Sequence, residues 1–99
     1  KRLKNGRLVY VLPKNQDNNA QFKIAKKALE DFVLDVQPVS NQVVVKTTTA
    51  AAQVIAESID NLYIDNIVAS IAGDNVVLII SNNETKAKEV AKTIEDNIK

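Results

Sequence analysis

The spacing of apolar residues changes several times along this chain, and each change marks an element. Arg7 to Leu12 (RLVYVL) alternates weakly and stops at Pro13, which predicts a short strand. Lys14 to Asn19 (KNQDNN) is polar throughout and reads as a linker. Phe22, Ala25, Ala28, Leu29 and Phe32 then recur at helical spacing, with Lys23, Lys26, Lys27 and Glu30 on the other side. This predicts a helix from about Ala20, N-capped by Asn18 or Asn19. It gives way to a strand at Val33–Val36, with Pro38 just beyond. A turn at Val39-Ser40-Asn41 leads into a second strand, Gln42–Thr48, with three consecutive valines. Thr49–Asn61 predicts a second helix with an apolar stripe of Ala51, Val54, Ile55, Ser58 and Ile59, continued by Leu62. Asn66–Ala72 and Val76–Ser81 are two further strands, joined at Gly73-Asp74-Asn75, residues that tolerate positive φ. The final helix, Glu84–Ile98, is capped by Ser81, Asn82 or Asn83 and turns Ala87, Val90, Ala91, Ile94 and Ile98 inward. Glu84 with Lys88, and Lys92 with Glu95 or Asp96, dress its outer face at i,i+3 and i,i+4 spacing.

The resulting order, α-β-β-α-β-β-α behind a short leading strand, predicts an α+β two-layer sandwich: one antiparallel four-stranded sheet with helices on one face. The strand Val76–Ile80 (VVLII) is apolar at every position, so both of its faces call for burial. Helices on one face leave the other for a partner chain, which predicts a homo-oligomer.

Composition narrows the chemistry. The 99 residues suit a single domain with an aliphatic core, since Tyr10, Phe22, Phe32 and Tyr63 are its only aromatics. There is no Cys and no His, so the commonest nucleophile, general base and metal ligands are missing. An enzyme is not expected, nor a metal or cofactor. The lack of Cys suits a reducing cytoplasm, and no apolar run is long enough to span a membrane. The chain does not begin with Met, which predicts an excised fragment. The net charge of +1 hides an asymmetry: residues 1–27 hold eight Lys/Arg and one acid, and residues 28–99 hold five Lys and eleven acids. A basic end suits either a nucleic-acid-facing part or a solvated terminus.

Three segments resemble the bacterial arginine repressors. Lys46-Thr47-Thr48-Thr49-Ala50-Ala51-Ala52-Gln53-Val54-Ile55-Ala56, followed by Asp60, resembles that family's strand-to-helix segment. Ser70-Ile71-Ala72-Gly73-Asp74-Asn75 resembles its Gly-Thr-Ile-Ala-Gly-Asp-Asp hairpin, and Val9-Tyr10-Val11-Leu12-Pro13 resembles the last wing strand of its winged helix. The resemblance covers nearly the whole chain in the right order. It implies that residues 1–18 are the end of the wing strand plus linker, and 19–99 the effector-binding and oligomerisation domain, with a DCoH-like fold. It further implies a cytoplasmic transcriptional repressor of arginine metabolism whose domain forms trimers and stacks two of them into a hexamer. L-arginine would bind between the trimers, and operator DNA would be met only through an N-terminal domain absent from this sequence. Carried over by position, the ligand contacts are Gln53, Asp60, Ser70, Ala72 through its backbone, Asp74 and Asn75. A carboxylate such as Asp74 is the planar bidentate partner that a guanidinium needs.

The chain departs from the pattern in two places. Asn75 stands where the family has a second Asp, and Thr49-Ala50 replaces a Pro-Gly pair at the start of the second helix. The first change removes a charge and predicts arginine binding weaker by about tenfold or more. Ser70 for Thr is mild. Taken alone, Gly73-Asp74-Asn75 is also a plain hairpin turn, Gln53 a solvated helix residue and Asp60 a polar residue near a helix end. The alternatives are an oligomerisation domain that binds no small molecule, or an amino-acid-sensing module of an enzyme. Pterin dehydratase-like enzymes share the two-layer topology, but their chemistry is His-based.

Overall fold

The computed structural model describes residues 15–98, with side chains from residue 20 onward. Its elements are α1 (Asn15–Phe32), β1 (Val33–Val39), β2 (Gln42–Thr47), α2 (Ala52–Asn61), β3 (Ala69–Ala72), β4 (Val76–Ile80) and α3 (Glu84–Ile98). The predicted order stands. The strand expected at residues 7–12 lies outside the described residues.

The four strands form one antiparallel sheet in the order β1-β2-β4-β3, so the two hairpins lie side by side with β2 against β4. Strand register separates the two faces. Val36 opposes Val45, Val43 opposes Ile79, and Val45 opposes Val77, and all are buried. Onto this face pack Ala25, Ala28 and Leu29 of α1, Ile55 and Ile59 of α2, and Ala87, Val90 and Ile94 of α3. Each fully buried Ile or Leu contributes about 1.5–3 kcal/mol relative to exposure.

Among the described residues no helix packs on the opposite face. Val44 faces Leu78, Lys46 faces Val76, and Ile71 faces Leu78 from the other side. Val39, on the same face, is 46% exposed and Ile71 is 60% exposed. This open face is therefore apolar at its centre (Val44, Val76, Leu78, Ile80 and Ile71), with Asp35, Gln37, Gln42 and Lys46 toward the β1 side. VVLII is covered on one face only: Val77 and Ile79 are buried, while Val76, Leu78 and Ile80 are half-buried.

Several expected boundaries move. Helix α1 starts at Asn15, not Ala20, so Asn18 and Asn19 lie within it and do not cap it. The segment from Asn15 that reads as linker is helical. Once a helix is nucleated, each added residue gains a backbone bond without needing an apolar partner, so its polar first turns leave no periodic signal. Phe22 and Phe32 lie on the flank of the apolar face, 42% and 38% exposed, and Lys26 Nζ sits 5.9 Å above the Phe22 ring. In α2, Ala52 takes the buried place expected for Val54, which is 47% exposed. Strand β1 runs on through Pro38 to Val39, with a bulge at Leu34. Pro38 is tolerated because β1 is an edge strand. Helix α3 matches its expected bounds. Asn83 caps it, its Oδ1 accepting from the Lys86 amide at 2.9 Å. The Lys88–Glu84 and Lys92–Asp96 pairs form at 3.5 and 3.8 Å.

Ser81 follows β4 and points into the core. Its backbone is tied to Asn41: Ser81 N donates to Asn41 O at 2.8 Å, and Asn41 Nδ2 donates to Ser81 O at 3.1 Å. Its hydroxyl is buried and has no hydrogen-bond partner among the described residues. Leaving a buried hydroxyl unpaired costs about 1–3 kcal/mol. Ser81→Ala is therefore expected to hold or raise stability, by up to about 1 kcal/mol, read from the urea midpoint. A loss above that size would mean the hydroxyl is satisfied.

Candidate ligand-binding site

The hairpin between β3 and β4 meets the start of α2, and backbone bonds fix the meeting. A helix leaves its first amides without internal partners. Here the N-cap residue is Ala51, which has no side chain able to serve, and no side-chain cap bond forms. The carbonyl of Asp74 takes that role, accepting from the Ala52 amide at 3.2 Å. The neighbouring Asn75 carbonyl accepts from the Thr47 amide at 2.9 Å, which ties the hairpin to the end of β2 as well. Gly73 N closes the turn onto Val76 O at 2.8 Å. The hairpin is thus held by main-chain atoms, and the side chains of Asp74 and Asn75 remain exposed and available.

The turn does not use the positive φ that its residues suggest: neither Asp74 nor Asn75 adopts it. A Cβ on Gly73 would meet Val76 Cγ1 at 3.4 Å, an ordinary contact.

Positive φ is instead found at Ala50, at 68°, in the loop between β2 and α2. This is where the family pattern has Gly. The left-handed region costs a residue with a Cβ roughly 1–2 kcal/mol, part of which Gly returns through the greater freedom of the unfolded chain. Ala50→Gly is expected to raise stability by about 0.5–1 kcal/mol, measured by thermal or denaturant unfolding. Unchanged or lower stability would show that Ala50 carries no such strain. The same φ explains why α2 begins at Ala52 and not at Thr49.

The six candidate contacts fall into two groups. Gln53 is the second residue of α2, exposed, one residue beyond the amide that Asp74 caps. Ala72 ends β3 and leads straight into the turn. Ser70, two residues earlier, opposes Ile79 and so lies with Ala72 on the helix-bearing face, both half-buried. Helix α2 packs on β3 and β4 on this side. Asp74 and Asn75 therefore lie at the start of α2, next to Gln53, with Ala72 leading into the turn and Ser70 two residues, about 7 Å, back along β3. Asp60 is exposed on the same side of α2, but seven residues past Gln53, about 10 Å along the axis. The fold puts it at the far end of the helix, not at the hairpin.

Glu57, outside the six, shares the exposed face of α2 with two of them. Gln53, Glu57 and Asp60 occupy i, i+4 and i+7 of α2, all exposed, on the side away from Ile55 and Ile59. Residues 47–85 contain no Lys or Arg, but five acids, Glu57, Asp60, Asp65, Asp74 and Glu84. The stretch that builds the site is anionic, with Lys46, opposite Val76 beside the hairpin, as the basic residue at its border. Such a surface suits a cationic ligand, with the Gln53 amide and backbone groups to orient a carboxylate or ammonium.

Comparison with known proteins agrees with this architecture. A sequence model described as the arginine repressor, C-terminal domain, matches residues 29–96. The arginine repressor of Clostridium novyi (strain NT) is 37% identical over 91 residues, covering 92% of this chain and 60% of that protein. The arginine repressor of Clostridium acetobutylicum is 44% identical over 66 residues, covering 67% of this chain and 44% of that protein. That of Geobacillus stearothermophilus is 37% identical over 90 residues, covering 91% and 60%. The chain thus spans about 60% of the length of the first of these relatives. The matched segment holds β1 to β4, α2, the hairpin and most of α3, and on that basis the chain belongs to the arginine repressor C-terminal domain family.

Proposed function

We infer that this domain serves a transcriptional regulator of arginine metabolism, by binding L-arginine at an interface between trimers and so holding a hexamer together. The observation that carries this reading is the bond from Ala52 to Asp74, which sets an exposed carboxylate beside Gln53 at an edge of the domain. Asp74 pairs with the guanidinium, while Gln53, Ser70 and the backbone at Ala72 receive the amino-acid end. Asp60, distant within one chain, meets ligand only if a second copy brings its helix across. The bare apolar sheet face supports association into the trimer. Operator DNA is met through the part of the protein N-terminal to this domain, and the repressor acts in the cytoplasm without an enzymatic step. The relatives carry the name of a repressor and not of an enzyme.

Asn75 leaves the hairpin one carboxylate short of the family pattern, so the arginine response is weaker than a two-carboxylate hairpin would give. The same substitution favours a second reading, a domain that assembles without binding any small molecule. Calorimetric titration with L-arginine, alongside sedimentation velocity with and without it, separates the two. Saturable binding with a shift to a larger species supports the sensor. Assembly with no heat of binding supports the second reading, and a monomer under both conditions overturns both.

A further inference from the structure

We propose that the groove between the edge strand β1 and the end of α3 is a docking site for the chain's own residues 7–12 (RLVYVL). The inference is independent of the arginine-binding reading. The groove has a volume of about 410 Å³ and is lined by Val33, Leu34, Asp35 and Val36 of β1 and by Glu95 and Ile98 of α3. Its shape suits an extended chain. Strand β1 ends the sheet, so among the described residues one row of its amides and carbonyls has no strand partner. The bulge at Leu34 leaves that side chain 68% exposed, in the same groove as the half-buried Ile98. A free sheet edge recruits an added strand through main-chain bonds, while pockets beside it take alternate side chains.

Charge and length point to the occupant. The groove is acidic as well as apolar. Among the described residues Asp35 and Glu95 form no ion pair: Lys46, opposite Asp35 on β2, does not bridge it, and Lys92 pairs with Asp96. Residues 1–14 match both properties, with five Lys/Arg, no acid and the unbroken run Leu8-Val9-Tyr10-Val11-Leu12. From Asn15 to Phe32, α1 is about 26 Å long, and the eight residues from Arg7 to Asn15, extended, span about 26–29 Å. Run back along the helix, the segment brings Arg7 level with the end of α1, where β1 and the groove begin. Arg7 then meets Asp35 and Glu95, and its apolar neighbours lie against Leu34 and Ile98. An occupied groove covers the free edge of the sheet. It also fixes where the part of the protein N-terminal to residue 7 sits against this domain.

The chain has no Cys, so an introduced disulfide reads the contact directly. Such a bond closes only when the two Cα atoms come within about 7 Å. The test uses the full 99-residue chain carrying Leu8→Cys with Leu34→Cys. Its control carries Leu8→Cys with Val54→Cys, on α2, which packs on the β3–β4 side. Both are oxidised with glutathione disulfide and followed by mass spectrometry. Leu34 and Val54 are exposed, so both chains are expected to fold, which circular dichroism checks. The Leu8/Leu34 pair is expected to close within one chain at least about tenfold faster than the control. Arg7→Glu is expected to slow that closure about fivefold. Closure no faster than in the control overturns the proposal, and so does a rate that Arg7→Glu leaves unchanged. Closure mainly between two copies overturns it too, because the groove then receives a second copy and not the chain's own segment.

Discussion

Leu78→Asp is expected to leave a folded chain that no longer self-associates, whereas Ile79→Asp, one residue along, is expected not to fold. The difference follows from the alternation of side chains along β4. Ile79 is fully buried, opposite Val43 and beneath the helices. A carboxylate there, without partners, costs several kcal/mol, against a stability of about 5–15 kcal/mol for a domain of this kind. Leu78 sits between Val44 and Ile71 at the middle of the bare face. In a lone chain Asp at this position meets water, and the fold survives. In an assembly that covers the face, each chain brings one desolvated charge, at several kcal/mol apiece, so association weakens by about a hundredfold or more. Circular dichroism and sedimentation velocity read the two effects separately. A Leu78→Asp chain that folds and still assembles would show that another surface holds the oligomer.

That face was legible in the sequence because period two is unforgiving. In VVLII every residue is apolar, yet among the described residues only Val77 and Ile79 are fully covered, and that surplus is what led to the expectation of a partner. Helix α3 was equally plain: its apolar residues keep strict spacing, and Asn83 caps it with a bond that any reader of helix starts would expect. Helix α1 was less so, because Asn15 to Asn19 extend it without an apolar residue and read as linker. At β3 the opposite error arose. Ile67 and Val68 look like strand, but Asn66 adopts a φ of 75° and Tyr63 one of 53°, and the ladder opens only at Ala69. Val68 still donates to Ile80 O at 2.7 Å, so the sequence was close to right about its pairing while wrong about its class.

The site was legible in part, and the reason lies in which atoms build it. Asp74 and Gln53 stand out by residue type and by their resemblance to a known pattern. What joins them does not: the link is the main chain of Asp74 bonded to the main chain of Ala52, which no side-chain pattern encodes. The strain at Ala50 is hidden for the same cause, since a small residue in a loop says nothing about its φ. Asp60 illustrates the reverse. Its spacing from Gln53 puts it on the same helical face, but seven residues are two turns, and within one chain the hairpin reaches only the first.

Asp74→Asn is expected to move two quantities in opposite directions: arginine binding falls steeply, while association without ligand rises. The side chain of Asp74 is exposed, and its structural duty is carried by the backbone carbonyl that accepts from Ala52, which Asn retains. Asn also suits a turn, so the fold is expected to hold within a few tenths of a kcal/mol. Losing the bidentate, charge-assisted contact to a guanidinium removes roughly 2–3 kcal/mol, or about 30–150-fold in affinity. The empty interface responds differently. On the proposed reading, carboxylates gathered between copies repel one another until a cation enters, so ligand binding and assembly are one linked equilibrium. Removing Asp74 takes away part of that repulsion, and the hexamer forms at lower protein concentration with no arginine present. Sedimentation velocity over a concentration series gives the ligand-free association, and calorimetry gives the affinity. A variant that loses arginine and also associates less would mean that Asp74 holds the chains together directly. One that keeps arginine binding within threefold would remove Asp74 from the site. Only the opposed pair of changes fits a domain in which bound arginine relieves the repulsion that holds the copies apart.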